Sequence, residues 1–468
     1  MPKPSQIILN KFPHQPTEGQ TRFFSQLDSF IEAPEENRQA LLLRGYAGTG
    51  KTSVVSALVQ ILPLFNYRYA LLAPTGRAAK VMSSYSGRAA YTIHKIIYRQ
   101  LADGAEEGLL FDLQKNYFKK TIFIIDEASM LSDTPEVGNG GLLKDLVDFV
   151  YAHASNKLLL IGDSAQLPPV HQQLSPALDA GYLQRHMRLH VQEVEFTEVM
   201  RQEQDSGILF NATNLRHELG REKFGIHFVT KNYKDIFRMT GERLEDGLRY
   251  AYNKFGVENT IIITRSNKAA VQYNQYIRRA IHYSESEIDA GDYLMIVRNN
   301  YTYLPEDSPA NFLANGDFVE VMKIINFEEM YGLRFASLLL RLADYPDVEP
   351  FEAKIMLDTL HSSTASLSGE ENRKLYDAVR QDYADLANKK DLREALKKDP
   401  YLNALQVKFA YALTCHKSQG GQWEAVFVDQ GYLTEEMLDK EYIRWLYTAV
   451  TRATKELYLI NFNKNFFS

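Results

Sequence analysis

Seven short apolar runs punctuate the chain, each closing on small or polar residues: ALLLRG at 40–45, YALLAP at 69–74, TIFIIDE at 121–127, KLLLIGD at 157–163, NTIIITR at 259–265, AVFVDQG at 425–431 and ELYLINF at 456–462. Helix-period stretches lie between most of them. Runs that are apolar on both faces predict strands of buried parallel sheets covered by helices. Their polar C-terminal ends are where open α/β sheets place ligands. The pattern predicts an α/β protein with two such sheets, the first over residues 1–195.

Two segments break the alternation. Residues 86–118 contain ADGAEEG, a turn between short arms, and predict a small hairpin insertion in the first sheet domain. Residues 286–404 hold LMIVRNNY, GDFVEVMKI and LRFASLLLRLAD, which predict antiparallel strands and a small β-barrel. A charged stretch, ENRKLYDAVRQDYADLANKKDLREALKKDP, follows and predicts a solvated helical hairpin. The second sheet domain is then split between 196–285 and 405–468.

Composition narrows the class. A chain of 468 residues has room for more than one core, and 45% hydrophobic with 24% charged residues suits a globular protein. No apolar run reaches membrane-spanning length, and the start, MPKPSQIILNKFPHQ, lacks the apolar centre of a signal peptide. The single cysteine, Cys415, excludes an internal disulfide framework and a multi-cysteine metal site, which fits a reducing cytoplasm. A net charge of −6 argues against a bulk-electrostatic nucleic-acid binder but leaves room for a local basic channel.

Chemistry enters with GYAGTGKT at 45–52, which fits the P-loop spacing and sits between a predicted strand and a predicted helix. Backbone N–H groups of Gly45, Ala47, Gly48, Thr49, Gly50 and Ser53 are placed to cradle phosphates. Lys51 reaches the β- and γ-phosphates, Thr52 holds Mg²⁺, and the helix that follows offers its positive end. DEAS at 126–129 closes a buried run, where two adjacent carboxylates would be costly to desolvate without a cation. Asp126 then holds Mg²⁺ and Glu127 polarises the attacking water. In GDSAQLPPV at 162–170, Gln166 orients that water or senses the γ-phosphate; a plain proline-stiffened turn is the alternative. Arg201 in FTEVMRQ and Arg452 in LYTAVTRAT, taken singly, are ordinary surface arginines. Gln20, in PTEGQTRFF, has an amide that matches the N6/N7 edge of adenine, yet by itself is a helix-start residue.

The ordered series GQ, GYAGTGKT, APTGRAAK, TIHK, DEASM, GDSAQLPPV, EVMRQ, TCHKSQGGQW and YTAVTRAT resembles that of superfamily 1 helicases, closest to the RecD-like, Dda-type and Pif-type group of superfamily 1B. The resemblance implies two RecA-like domains with ATP and Mg²⁺ in the cleft between them, an SH3-like barrel in the second, and 5′→3′ movement on single-stranded DNA. It implies that Gln20 reads adenine, that Lys51, Thr52, Asp126 and Glu127 perform hydrolysis, that Gln166 senses the γ-phosphate, and that Arg201 and Arg452 act as arginine fingers.

It further implies two grips on the strand. One is formed by Pro74, Thr75, Gly76, Arg77, Thr92, His94 and Lys95, the other by Thr414, His416 and Lys417. Ser418, Gln419 and Gly420 would face the nucleotide. Leu110 and Phe111 are candidates for a duplex-splitting pin, although an apolar pair is more often packed inside. The implied partners are single-stranded DNA and DNA junctions, engaged by a monomer. A nucleotide switch without strand tracking, or an RNA-directed motor, remain the alternatives.

Overall fold

The computed structural model describes the chain except residues 1, 36, 101–110, 135–140, 201–204, 306–307, 309, 311, 346–347, 365, 387 and 468. Three of the predicted apolar runs become the centre of a six-stranded parallel sheet: Thr121–Ile125, Lys157–Gly162 and Gln39–Gly45. Arg68–Ala73 and the short Ala90–Thr92 extend it on one side and His190–Phe196 on the other. Helices cover both faces, so Leu41, Leu43 and Ile124 face one apolar core while Leu42, Phe123 and Leu160 face another. That two-sided burial is why these strands read as unbroken apolar runs. His190–Phe196 escaped that reading because it is an edge strand in which exposed His190, Glu193 and Glu195 interrupt the buried Val194 and Phe196, the latter packed on Phe23 of the covering helix Glu18–Glu32.

Residues 86–118 are less of an insertion than expected. Ala90–Thr92 joins the main sheet and Ile93–Ile97 forms a short helix against it. The arms Tyr98–Gln100 and Phe111–Leu113 lie outside that sheet and pair with each other antiparallel. Leu110 lies outside the described residues, and Phe111 is placed only by its backbone pairing with Gln100.

The second parallel sheet has the order Ala412–Thr414, Thr260–Thr264, Trp423–Asp429, Ala453–Ile460, Ile236–Met239. Between its first and last parts lies a closed barrel of Tyr293–Ile296, Phe318–Met330, Leu333–Leu342, Phe351–Met356 and Leu405–Phe409. The fifth barrel strand leads directly into the sheet's edge strand, so the passage from barrel to sheet falls at residues 410–411 rather than at 404. Barrel and sheet share one apolar core, in which Leu294, Leu338 and Val407 join Ile262 and Phe427. A buried ion pair, Arg278 to Asp292 at 2.9 Å, ties the helix Asn267–Ala280 to the barrel. The charged stretch forms the helices Gly369–Asp382 and Lys389–Lys398, whose Leu375, Val379 and Leu396 pack on the barrel at Phe335 and Met356. No helix among the described residues is long and apolar enough to cross a membrane.

Candidate active site and nucleic-acid interface

The P-loop leaves the strand Gln39–Gly45 and turns through Gly48 (φ +73°) and Gly50 (φ +80°) into the helix Lys51–Ile61. At Gly50 a side chain would also collide with Met200 Sδ at 2.5 Å and Gln20 Nε2 at 2.6 Å, so both the turn and the close approach require glycine. Lys51 Nζ donates to the carbonyls of Gly45 (2.6 Å) and Tyr46 (2.9 Å), folding back over the loop. Thr49 is buried and its hydroxyl donates to Tyr46 O, which stiffens the same turn.

Asp126 and Glu127 stand at the end of the strand Thr121–Ile125, which Lys157–Gly162 separates from the P-loop strand. Asp126 accepts from the Tyr85 hydroxyl at 2.7 Å and from the backbone N–H of Glu127 at 2.9 Å. Burial first, and the Glu127 charge second, push the Asp126 carboxyl above its ordinary range. A buried carboxyl held this way is suited to a cation, and the exposed Thr52 hydroxyl, without a partner among the described residues, is available as a second oxygen ligand. The donor set fits Mg²⁺ with a nucleotide. Glu127 itself sits in the left-handed region at φ +52°, a conformation that non-glycine residues adopt at a cost and that clusters at working sites.

The second lobe closes over this site from the helix Lys440–Val450. Arg452, just beyond it, is buried, with Nη1 lying 3.7 Å from Glu127 Oε1, while Nε donates to Thr448 O and Nη1 to Gly421 O. Tyr447, unnoticed in the sequence, bridges the lobes: its hydroxyl accepts from the P-loop N–H of Ala47 at 2.9 Å and donates to Asp163 Oδ2 at 2.6 Å. The Thr448 hydroxyl accepts from Leu167 N, and Gln419 Nε2 donates to Leu167 O, clamping the GDSAQLPPV loop from both sides. Gln166 is buried in that loop and its Oε1 has no partner among the described residues.

Several expected residues have other occupations. Gln20 is fully buried; its Nε2 donates to Thr49 O (3.1 Å) and its Oε1 accepts from Thr17 N (3.0 Å). Both edges of its amide thus brace the P-loop and cap its own helix, and neither is presented to a base. Gly420 (φ +72°) packs on the first lobe, where a side chain would meet Ala78 Cβ at 2.8 Å; it allows close approach of the lobes rather than lining the nucleotide site. Ser418 is buried, and its hydroxyl donates to Cys415 O. Arg201 lies outside the described residues.

Of the expected strand grips, Thr75 and Thr92 cap the helices Gly76–Ser86 and Ile93–Ile97 by accepting from Ala78 N and Lys95 N. Pro74 precedes that first cap, half-buried. Arg77 is stacked between Trp423 (4.1 Å) and Phe318 (4.7 Å), with a long bond to Gln422 O, and burial lowers its pKa. It is a cation–π fastener between lobes and barrel, not a free phosphate ligand. Burial brings His94 down to about 4, so this imidazole is neutral at pH 7. In the second lobe Thr414 precedes the short turn Cys415–Ser418, burial lowers His416, and burial brings Lys417 down to about 8. Lys408, missed in the sequence because it lies in a barrel strand, joins Lys417 and Thr414 around one small cavity, and burial followed by the Lys417 charge brings it to about 8.

The barrel meets the expected first grip at Asp317, whose Oδ1 has no partner among the described residues and would touch a side chain at Gly76. Burial raises Asp317 to about 7. The folded chain therefore holds a proton there that the unfolded chain releases from about pH 4 upward, and the stability this gives is lost as pH rises through about 7. Asp317→Asn is expected to become progressively more stable than wild type between pH 5 and 7, by up to about 1.4 kcal/mol per pH unit, and to level off above. Urea melts at successive pH values measure this, and a difference that stays flat would refute it.

Fold and site together define a two-lobed P-loop ATPase in which side chains of the second lobe meet the P-loop and Glu127 of the first. The model of the AAA domain family matches residues 25–229, and that of the UvrD-like helicase C-terminal domain matches residues 409–460. An uncharacterized protein, R530, of Acanthamoeba polyphaga mimivirus is 24% identical over 90% of this chain and 95% of its own length. The ATP-dependent DNA helicase dda of Enterobacteria phage T4 is 25% identical over 66% of this chain and 67% of its own. The ATP-dependent RecD2 DNA helicase of Deinococcus radiodurans is 29% identical over 38% of this chain, a match that spans only 22% of RecD2. With the ordered motifs from Gln20 to Arg452, these matches make the chain similar to the superfamily 1B helicases.

Proposed function

We propose that this protein is an ATP-driven motor that moves 5′→3′ on single-stranded DNA and separates duplex DNA ahead of it. The observation that carries the reading is the approach of Arg452 in the second lobe to Glu127 in the first, at 3.7 Å. A nucleotide switch does not need a second α/β lobe to finish its hydrolytic site. The relatives dda and RecD2, described as ATP-dependent DNA helicases, point the same way.

In the working cycle, Lys51 exchanges the carbonyls of its own loop for the β- and γ-phosphates. Thr52 and Asp126 would hold Mg²⁺, which when bound neutralises phosphate charge. Glu127 accepts the proton of the attacking water, and Arg452 stabilises charge on the transferred group from the far side. The Tyr447 hydroxyl must surrender the Ala47 N–H when phosphates enter the loop, so nucleotide binding acts directly on the contact that sets the lobes' separation. The first grip moves with one lobe and Thr414, His416 and Lys417 with the other. Alternation of cleft closure therefore shifts one hold along the strand relative to the other.

Side-by-side unwinding of 5′-tailed and 3′-tailed duplexes tests direction. The 5′-tailed substrate is expected to be opened with ATP by wild type and not by Lys51→Ala. Opening of only the 3′-tailed substrate would overturn the direction while sparing the motor.

A further inference from the structure

Beside the hydrolytic site lies a second cavity, of about 240 Å³, lined by Arg44, Ser129, Asp163, Gln166, Asp179 and Arg444 among others. At about 30 Å³ per water, it has room for roughly eight waters or a hydrated oxyanion. Its distinguishing feature is the state of Arg444. This guanidinium is 9% exposed, and burial lowers its pKa. Among the described residues it makes one hydrogen bond, Nη1 to Gln173 O at 2.8 Å, and its Nε has no partner. Among the described residues no carboxylate lies within ion-pair distance of it. Burying a cation with one neutral acceptor and no counter-ion is costly, and an anion in the cavity would remove that cost.

The other lining groups fit an anion. Arg44 contributes a second guanidinium, half-buried, paired on one side with Glu193 at 3.1 Å and with Nε unpartnered. The Ser129 hydroxyl, 1% exposed, is also unpartnered. Of the two carboxylates on the wall, Asp163 is occupied by the Tyr447 hydroxyl and by Ala165 N, and burial favours its neutral form. Asp179 accepts from Tyr182 N as a helix cap. Asp163, on the cavity wall, is linked through the Tyr447 hydroxyl to the P-loop N–H of Ala47, Gln166 is the residue that the motif resemblance assigns to the γ-phosphate, and Ser129 follows Glu127 by two residues. The one small anion the proposed reaction releases is inorganic phosphate.

We infer that this cavity receives the inorganic phosphate cleaved from ATP and holds it against Arg444 and Arg44 before it leaves the cleft. The inference rests on the proposed ATPase reading. It makes Arg444, eight residues before Arg452 on the same segment, a group that couples the position of the second lobe to product departure.

Radiolabelled inorganic phosphate, dialysed against protein saturated with ADP and Mg²⁺, tests the site with the P-loop already filled. Wild type is expected to bind phosphate and Arg444→Gln to bind it about tenfold or more weakly, the loss of one charge-assisted hydrogen bond. Arg444→Lys, which keeps the charge, is expected to fall between them. In a pre-steady-state run on single-stranded DNA, Arg444→Gln should change the interval between bond cleavage and the appearance of phosphate at a fluorescent sensor. Equal phosphate affinity in wild type and Arg444→Gln would overturn the inference. So would cleavage and release slowing together with that interval unchanged, the signature of a residue that only docks the second lobe on Gln173. Wild-type protein that binds phosphate but does not hydrolyse ATP would sink the motor reading and leave the anion site standing.

Discussion

Arg452→Ala is expected to lower the DNA-stimulated ATPase rate by about 10³–10⁵, the effect of removing an arginine finger. The side chain is buried at the lobe boundary, and no other guanidinium among the described residues lies as near Glu127. Its remaining donors are fixed by Thr448 O, Gly421 O and the Thr451 hydroxyl, so the head group is held in one orientation before nucleotide arrives. Pre-organisation of this kind is where electrostatic stabilisation gains most over water. Arg452→Lys should recover little, because an ammonium cannot keep the planar fork and reach the phosphate as well. Binding of a fluorescent nucleotide provides the control and should stay near wild type, whereas the melting temperature should fall, because Thr448 O and Gly421 O lose their buried donor. A rate within tenfold of wild type would remove Arg452 from the hydrolytic site and with it the two-lobe mechanism.

The second large effect is expected at Glu127. Glu127→Gln preserves size and hydrogen-bonding reach but cannot take a proton, and should lower hydrolysis by about 10²–10⁴ while ATP still binds. The variant should hold its nucleotide uncleaved and so stay on single-stranded DNA in the closed form, which filter binding with and without ATP would reveal. Combining Glu127→Gln with Arg452→Ala should cost less than the two losses added, because both groups act on one transition state across 3.7 Å. Additive losses would mean that the two residues work at separate steps.

These groups differ in how visible they were before folding. The P-loop is legible because its chemistry is local: glycines at Gly48 and Gly50, Lys51 and Thr52 occupy consecutive positions between a strand and a helix. The DEAS motif is legible for the same reason, being the polar end of a buried strand. Tyr447 was not, because its partners Ala47 and Asp163 lie hundreds of residues away and its own segment reads as a buried apolar helix. Asp163 was passed over in favour of Gln166, although Asp163 directly follows the strand and Gln166 lies in the loop beyond it. Arg77 was assigned to the strand on its motif, while its stacking on Trp423 and Phe318 depends on three segments meeting.

By itself the sequence determined the two parallel sheets, the barrel between the parts of the second, and the strand–loop–helix position of GYAGTGKT and the strand-end position of DEAS. Periodicity and short-range spacing encode all of these, since strand burial and loop geometry depend on residues a few positions apart. Only the tertiary structure decided that Gln20 braces the P-loop, that Gly420 lets the lobes approach at Ala78, and that Arg444 is buried without a counter-ion. Each of these is a property of an interface, and an interface is set by the packing of distant segments, which leaves no period and no spacing in the chain.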